Sequence, residues 1–150
     1  MTAKQRVHWD LLEYEWEGSY LLNDEPYNGT AYTTNKAGEM VEEMEYVDGW
    51  ETHYKQWYLS GQLREETEFK PNDIWHWEWH ENGQMALEKR NEGGAISQRK
   101  RWDDSGNLIE DFVIKPGDDY YAIFLLASQR KAAREEAASG IVQDDSSPEG

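Results

Sequence analysis

The densest run of side chains able to do chemistry is Trp75-His76-Trp77-Glu78-Trp79-His80, two histidines around a glutamate. A helical zinc hydrolase needs His-Glu-x-x-His, which turns both imidazoles toward one metal. Here the order is His-x-Glu-x-His, and the alternation of aromatic with polar residues predicts a strand. On a strand His76 and His80 share a face but stand about 13 Å apart at about 3.3 Å per residue, too far for one ion. His76 and Glu78 could supply two ligands, but no third is evident, so no metal is expected. The same alternation sends Trp75, Trp77 and Trp79 to the opposite face, where three rings in a row predict core. Carboxylates are abundant enough to suggest the acid and base of glycoside hydrolysis, yet that reaction needs two of them flanking one bond, and nothing marks any as buried. A Gly-rich phosphate loop after a strand, a cysteine nucleophile and a Gly-x-Ser-x-Gly elbow are all missing. The chain reads as a non-enzyme without a cofactor.

The elements that carry these side chains follow from an internal repeat. Gly38, Gly61, Gly83 and Gly106 fall 23, 22 and 23 residues apart, and each is followed two positions later by Met40, Leu63, Met85 or Leu108. Such a period marks a repeat array, and arrays of this size usually bind. Four positions before the glycine stand Trp57, Trp79 and Trp102, with Thr34 in a degenerate first unit. Ser60-Gly61, Asn82-Gly83 and Ser105-Gly106 read as tight turns in which glycine supplies positive φ. After the turn, Met40, Glu42, Met44, Tyr46 and Leu63, Glu65, Thr67, Phe69 alternate with Glu43, Glu45, Glu66 and Glu68, so one parity should look inward. Second turns at Asp48-Gly49, Pro71-Asn72-Asp73 and Gly93-Gly94 make each period one hairpin. Successive hairpins predict one antiparallel meander. Five residues after the glycine the chain is always acidic (Glu43, Glu66, Glu88, Asp111), and four residues after it is Glu in three units (Glu42, Glu65, Glu110). A carboxylate row along the sheet is expected, either as solvated outer positions or as a docking surface.

The phrases Trp57-Tyr58-Leu59-Ser60-Gly61-Gln62-Leu63-Arg64-Glu65-Glu66 and Trp79-His80-Glu81-Asn82-Gly83-Gln84-Met85 resemble the MORN-variant repeat: an aromatic pair, Asn-Gly-Gln-Leu, then Lys/Arg-Glu-Glu. Pro26-Tyr27-Asn28-Gly29-Thr30-Ala31-Tyr32 resembles the segment leading into the first repeat of such proteins. The resemblance spans residues 26 to about 114. It departs from the pattern where Lys89 replaces the usual small residue, and the Gly pair ending many units occurs only at Gly93-Gly94. The chain is similar to the YwqK-type antitoxins, bacterial proteins proposed to neutralise toxins encoded beside them. The resemblance implies an open MORN-like sheet and a protein partner.

Composition sets the remaining bounds. With 150 residues the chain suggests a single domain, and with hydrophobic content of 37% but eight Trp and nine Tyr, its core is expected to be aromatic. The net charge of −16 argues against nucleic acid or an anionic membrane as ligand and favours a basic partner. It also keeps an open aromatic sheet in solution. Arg99-Lys100-Arg101, the only dense basic tract, is expected to pair with neighbouring carboxylates. The chain has no cysteine, and its amino terminus has no apolar targeting run, which predicts a cytoplasmic protein.

The expected organisation is a mainly β repeat domain over residues 1–138. It comprises one or two leading strands in 7–25, four repeats over about 26–114, and one C-terminal α-helix over about 118–138, capped by Asp118-Asp119. Tyr120, Ile123, Phe124 and Ala127 form the buried stripe of that helix, and Arg130, Lys131 and Arg134 lie toward its C-terminal end. Its role is to cover a sheet edge or the last repeat. Residues 139–150, small and acidic, are expected to be a disordered tail. The function that fits is an immunity protein gripping a cognate basic toxin, of the nuclease or deaminase class by family association. The binding residues would be Glu43, Glu65, Glu66, Glu68, Glu78, Glu81 and Glu88 with Trp50, Trp75 and Trp77. A scaffold or self-associating repeat protein is the alternative.

Overall fold

The computed structural model describes residues 5–144. The strands are β1 (Gln5–His8), β2 (Glu13–Tyr14), β3 (Tyr20–Leu22), β4 (Glu25–Pro26), β5 (Gly29–Thr34), β6 (Met40–Val47), β7 (Trp50–Trp57), β8 (Leu63–Lys70), β9 (Asp73–Trp79), β10 (Met85–Glu92), β11 (Ala95–Trp102) and β12 (Leu108–Val113), followed by one helix, α1 (Tyr121–Asp144). From β5 to β12 each strand pairs antiparallel with the next, giving the open meander that the repeats predict. β1 adds to its front edge in parallel with β5, while β2, β3 and β4 form a separate small sheet. The leading segment therefore holds more strands than expected. A parallel pair needs a long crossover, and the small sheet is built into that crossover.

The repeat turns are alike in their hydrogen bonds. In each, the glycine N–H donates to the carbonyl three residues earlier (Asn35, Tyr58, His80, Asp103), and the N–H of that same residue donates to the carbonyl of the residue after the glycine (Glu39, Gln62, Gln84, Asn107). The glycines lie at φ from 82° to 89°, so the turn is a three-residue hairpin loop whose glycine closes it in the left-handed region. The inner units are linked by a second contact. Tyr58 donates its hydroxyl to the Trp79 carbonyl at 2.8 Å, and His80 places Nε2 2.9 Å from the Trp102 carbonyl, the same bond one repeat later. A carbonyl only accepts, so His80 carries hydrogen on Nε2. The terminal units have Asn35 and Asp103 at this position, and both fold back on their own turns. Those bonds hold the Asp103 carboxyl below its usual range.

Burial matches the expected aromatic core in its tyrosines and departs from it in its tryptophans. Among the described residues the buried side chains are Tyr27, Ala31, Tyr46, Leu87, Ala95 and Ile114 with Thr30, Thr67 and Ser97, and every Trp is half-buried or exposed. An indole on an open sheet keeps one side in water unless a second layer covers it. Over β5 and β6 such a layer is supplied by Leu12, Tyr20 and Leu22, which pack against Tyr27, Ala31 and Tyr46. Burial pushes the Tyr46 hydroxyl pKa up, reinforced by the Glu51 carboxylate.

The helix also corrects the sequence reading. It packs on β11, a strand of the last repeat, and on β10 of the repeat before it, rather than along the β12 edge. Asp118 does not cap it; its carboxylate accepts from Lys115 N–H and closes the preceding turn. Phe124 and Ala127 are half-buried, whereas Tyr120 and Ile123 are exposed. The helix continues past 138 to Asp144, because Ser139 and Gly140 cost only about 1 kcal/mol at most each relative to alanine and no proline intervenes. Arg130, Lys131 and Arg134 thus sit mid-helix and line a cleft with Asp73 and Glu92. The expected disordered tail is helical over 139–144, and its remainder, 145–150, lies outside the described residues. Among the described residues no helix is long and apolar enough to cross a membrane.

Candidate protein-binding surface

Turn geometry fixes which side chains share a face. Across the sheet one cross-strand row reads Tyr32, Glu43, Lys55, Glu66, Trp77, Glu88, Lys100, Asp111. The acidic positions five residues after each repeat glycine do line up, but Lys55, Trp77 and Lys100 stand between them. The expected carboxylate row is a mixed ladder, because each repeat contributes two strands and only one bears the acidic position. The neighbouring row on this front face contains Thr30, Glu45, His53, Glu68, Trp75, Arg90, Gln98 and Val113.

The residues four after the glycine fall on the back face, in the row Thr33, Glu42, Gln56, Glu65, Glu78, Leu87, Arg101, Glu110. The ten expected binding residues are thereby divided. Glu43, Glu66, Glu68, Glu88, Trp75 and Trp77 share the front face, and Glu65 and Glu78 face the other way. Glu81 lies in the exposed turn after β9, while Trp50 begins β7 at the opposite end of the strands. Period two forbids adjacent positions on one strand from sharing a face.

On the front face Trp75 and Trp77 stack, 5.7 Å between centroids and 4° from parallel. Arg90 lies 5.0 Å over the Trp75 ring, and Trp77 donates its indole N–H to Glu88 at 3.3 Å. Trp79 is not in the stack; it lines a back-face cleft with Glu65 and Glu78. Arg90 also makes a bidentate pair with Asp73, both bonds 2.9 Å, and reaches Glu92 at 3.3 Å. The Arg90 hydrogen bonds hold the Asp73 carboxyl below its usual range. Further along, His53 is bracketed by Glu45 at 3.3 Å and Glu66 at 2.6 Å, and Arg6 of β1 reaches Glu43 at 2.8 Å. These ties hold the carboxylates in place while leaving them half exposed. They are preset acceptors rather than free charges.

Several members of this surface carry no signal in the repeat pattern. Lys55, Lys100, Arg90 and Asp73 become neighbours of the acidic positions only through strand register. Glu51 stands opposite Tyr46 because a bulge shifts the β6–β7 pairing, and burial pushes its carboxyl pKa up. The basic tract behaves as expected: Arg99 and Arg101 both hold Glu110, at 2.6 and 3.0 Å. The back face brings one further correction. Glu65 approaches His76 and Glu78, so the third donor missing from the sequence reading is supplied by β8, and the three ligand atoms lie within 4.8 Å of one another.

Comparison with protein-family models, curated proteins and solved structures finds no match to this chain.

Proposed function

We propose that the chain is an immunity protein that neutralises a basic, cytoplasm-acting toxin of the nuclease or deaminase class by direct binding and occlusion of its active site. The supporting observation is the stacked, half-exposed Trp75–Trp77 pair set in a ladder of tethered carboxylates on the front face. Aromatic anchors ringed by polar groups are what slow-dissociating interfaces use. The charge of −16 adds steering toward a basic partner. Neither feature requires a bond to be made or broken. Co-expression with the product of the adjacent gene, followed by calorimetry on the purified pair, tests the reading. Growth rescue with nanomolar binding is expected. Reversing Glu43, Glu66 and Glu88 to lysine should slow association by at least tenfold at low salt and less at physiological salt. Unchanged affinity at both salts sinks the front-face assignment.

One observation favours a self-associating scaffold instead. Among the described residues β12 is paired on one side only, and its Leu108, Ile109 and Val113 are exposed, which is the condition for strand addition. A defined oligomer in light scattering, with no captured basic partner, would select that reading.

A further inference from the structure

We propose that Glu65, His76 and Glu78 form a binding site for a divalent transition metal of the zinc type on the back face. The two-residue turn at Pro71-Asn72 sets the β8–β9 register so that Glu65 stands directly opposite Glu78 and Thr67 opposite His76. His76 Nε2 is 3.0 Å from Glu78 Oε1 and 3.8 Å from Glu65 Oε2. Tetrahedral zinc with nitrogen and oxygen ligands at about 2.1 Å places its donors about 3.4 Å apart. The observed spacings bracket that figure, and small side-chain rotations bring all three donors onto one ion.

A second, independent feature orients the imidazole. His76 Nδ1 lies 2.7 Å from the hydroxyl of Thr67, a buried residue. Fixing one ring nitrogen with an oxygen partner while the other faces the metal is the usual outer-shell arrangement of zinc histidines. Without a metal, hydrogen on Nε2 bonds Glu78 at 3.0 Å and the Thr67 hydroxyl donates to Nδ1. A metal displaces the Nε2 hydrogen, and the neutral ring then carries its hydrogen on Nδ1, where the same hydroxyl accepts it.

Electrostatics lead the same way. Like charges directly opposite on neighbouring strands destabilise a sheet. Where Asp73 stands opposite Glu92, Arg90 resolves the conflict by pairing with both. Glu65 and Glu78 have only His76 as an ion-pair partner among the described residues. At His53 the two carboxylates approach opposite ring nitrogens, so they do not converge on one point. Glu65 and Glu78 also border the back-face cleft of about 440 Å³, beside Trp79, Arg101 and Trp102. Three protein donors leave a fourth position for water or for a donor from a bound molecule. The nearest opposing charge by register is Lys89, across β10 from His76.

The site is independent of the immunity reading and is tested without a partner. Chelator-treated full-length protein is titrated with Zn²⁺ by calorimetry and with Co²⁺ by visible absorption. Saturable one-to-one binding and an intense tetrahedral cobalt spectrum are expected. Glu65→Gln and His76→Gln should each weaken binding at least tenfold, and His53→Gln should leave it unchanged. Lys89→Met, which removes the opposing charge and spares every ligand, should tighten it. The assignment is overturned if wild type shows no saturable binding, if His76→Gln binds as well as wild type while folded by circular dichroism, or if Lys89→Met does not tighten it.

Discussion

Individual side chains carry much of the order in this sheet, and the Asp73–Arg90 pair shows how. Its two hydrogen bonds depress the Asp73 pKa in the folded state. The resulting stability is complete above the unfolded carboxyl value of about 3.9 and is lost as pH falls through the depressed folded value. Asp73→Asn should therefore cost about 1.5–3 kcal/mol near pH 7, with the gap closing below about pH 4, in urea denaturation followed across pH. Gly93 supplies a second test. A Cβ there would collide with the Ala127 methyl, whereas one at Gly94 meets nothing, and both residues have positive φ. Both alanine variants incur about 1–2 kcal/mol of backbone strain. Gly93→Ala should lose more, and the excess measures helix docking. At this scale the sequence misled by one residue. Reading the β8–β9 turn as Pro71-Asn72-Asp73 pairs Glu65 with Trp79 and moves Glu78 to another partner; a turn of Pro71-Asn72 pairs Glu65 with Glu78. A slip of one residue exchanges the faces, and the third donor beside His76 disappears with it.

Among elements, the hairpins are joined by the bond from Tyr58 to the Trp79 carbonyl and its copy from His80 to Trp102. Tyr58→Phe keeps the ring and removes only the hydroxyl, so it should cost about 0.5–1.5 kcal/mol in chemical denaturation. The helix is the opposite case. Its residues 131–140 are exposed throughout, so ending the chain after residue 138 should change unfolding free energy by no more than about 0.5 kcal/mol. The hairpins were legible because glycine, tryptophan and apolar positions recur in register. The helix boundary was not, since a run of exposed, small and charged residues has no periodic edge to mark where it stops. The parallel pairing of β1 left no trace either, because long-range strand partners depend on what packs between them.

For the molecule as a whole, the repeat period gave the architecture, and face assignment separated the expected binding residues that the repeat register had grouped. Because the inner units share one turn and one linking bond, removing the 22 residues from Gln62 to Gly83 joins Gly61 to Gln84 and recreates a repeat boundary. Stability in such arrays is a sum over units and their interfaces. The shortened protein should still fold, with a smaller denaturant m-value in proportion to the surface removed. Pulled between its ends, the same open ladder behaves like a zipper rather than a clamp. Load applied across the strands meets one pairing at a time from the unguarded β12 side, so extension should proceed in low-force steps. Each step should release one 22- or 23-residue unit, roughly 7–8 nm of chain at about 3.3–3.6 Å per residue.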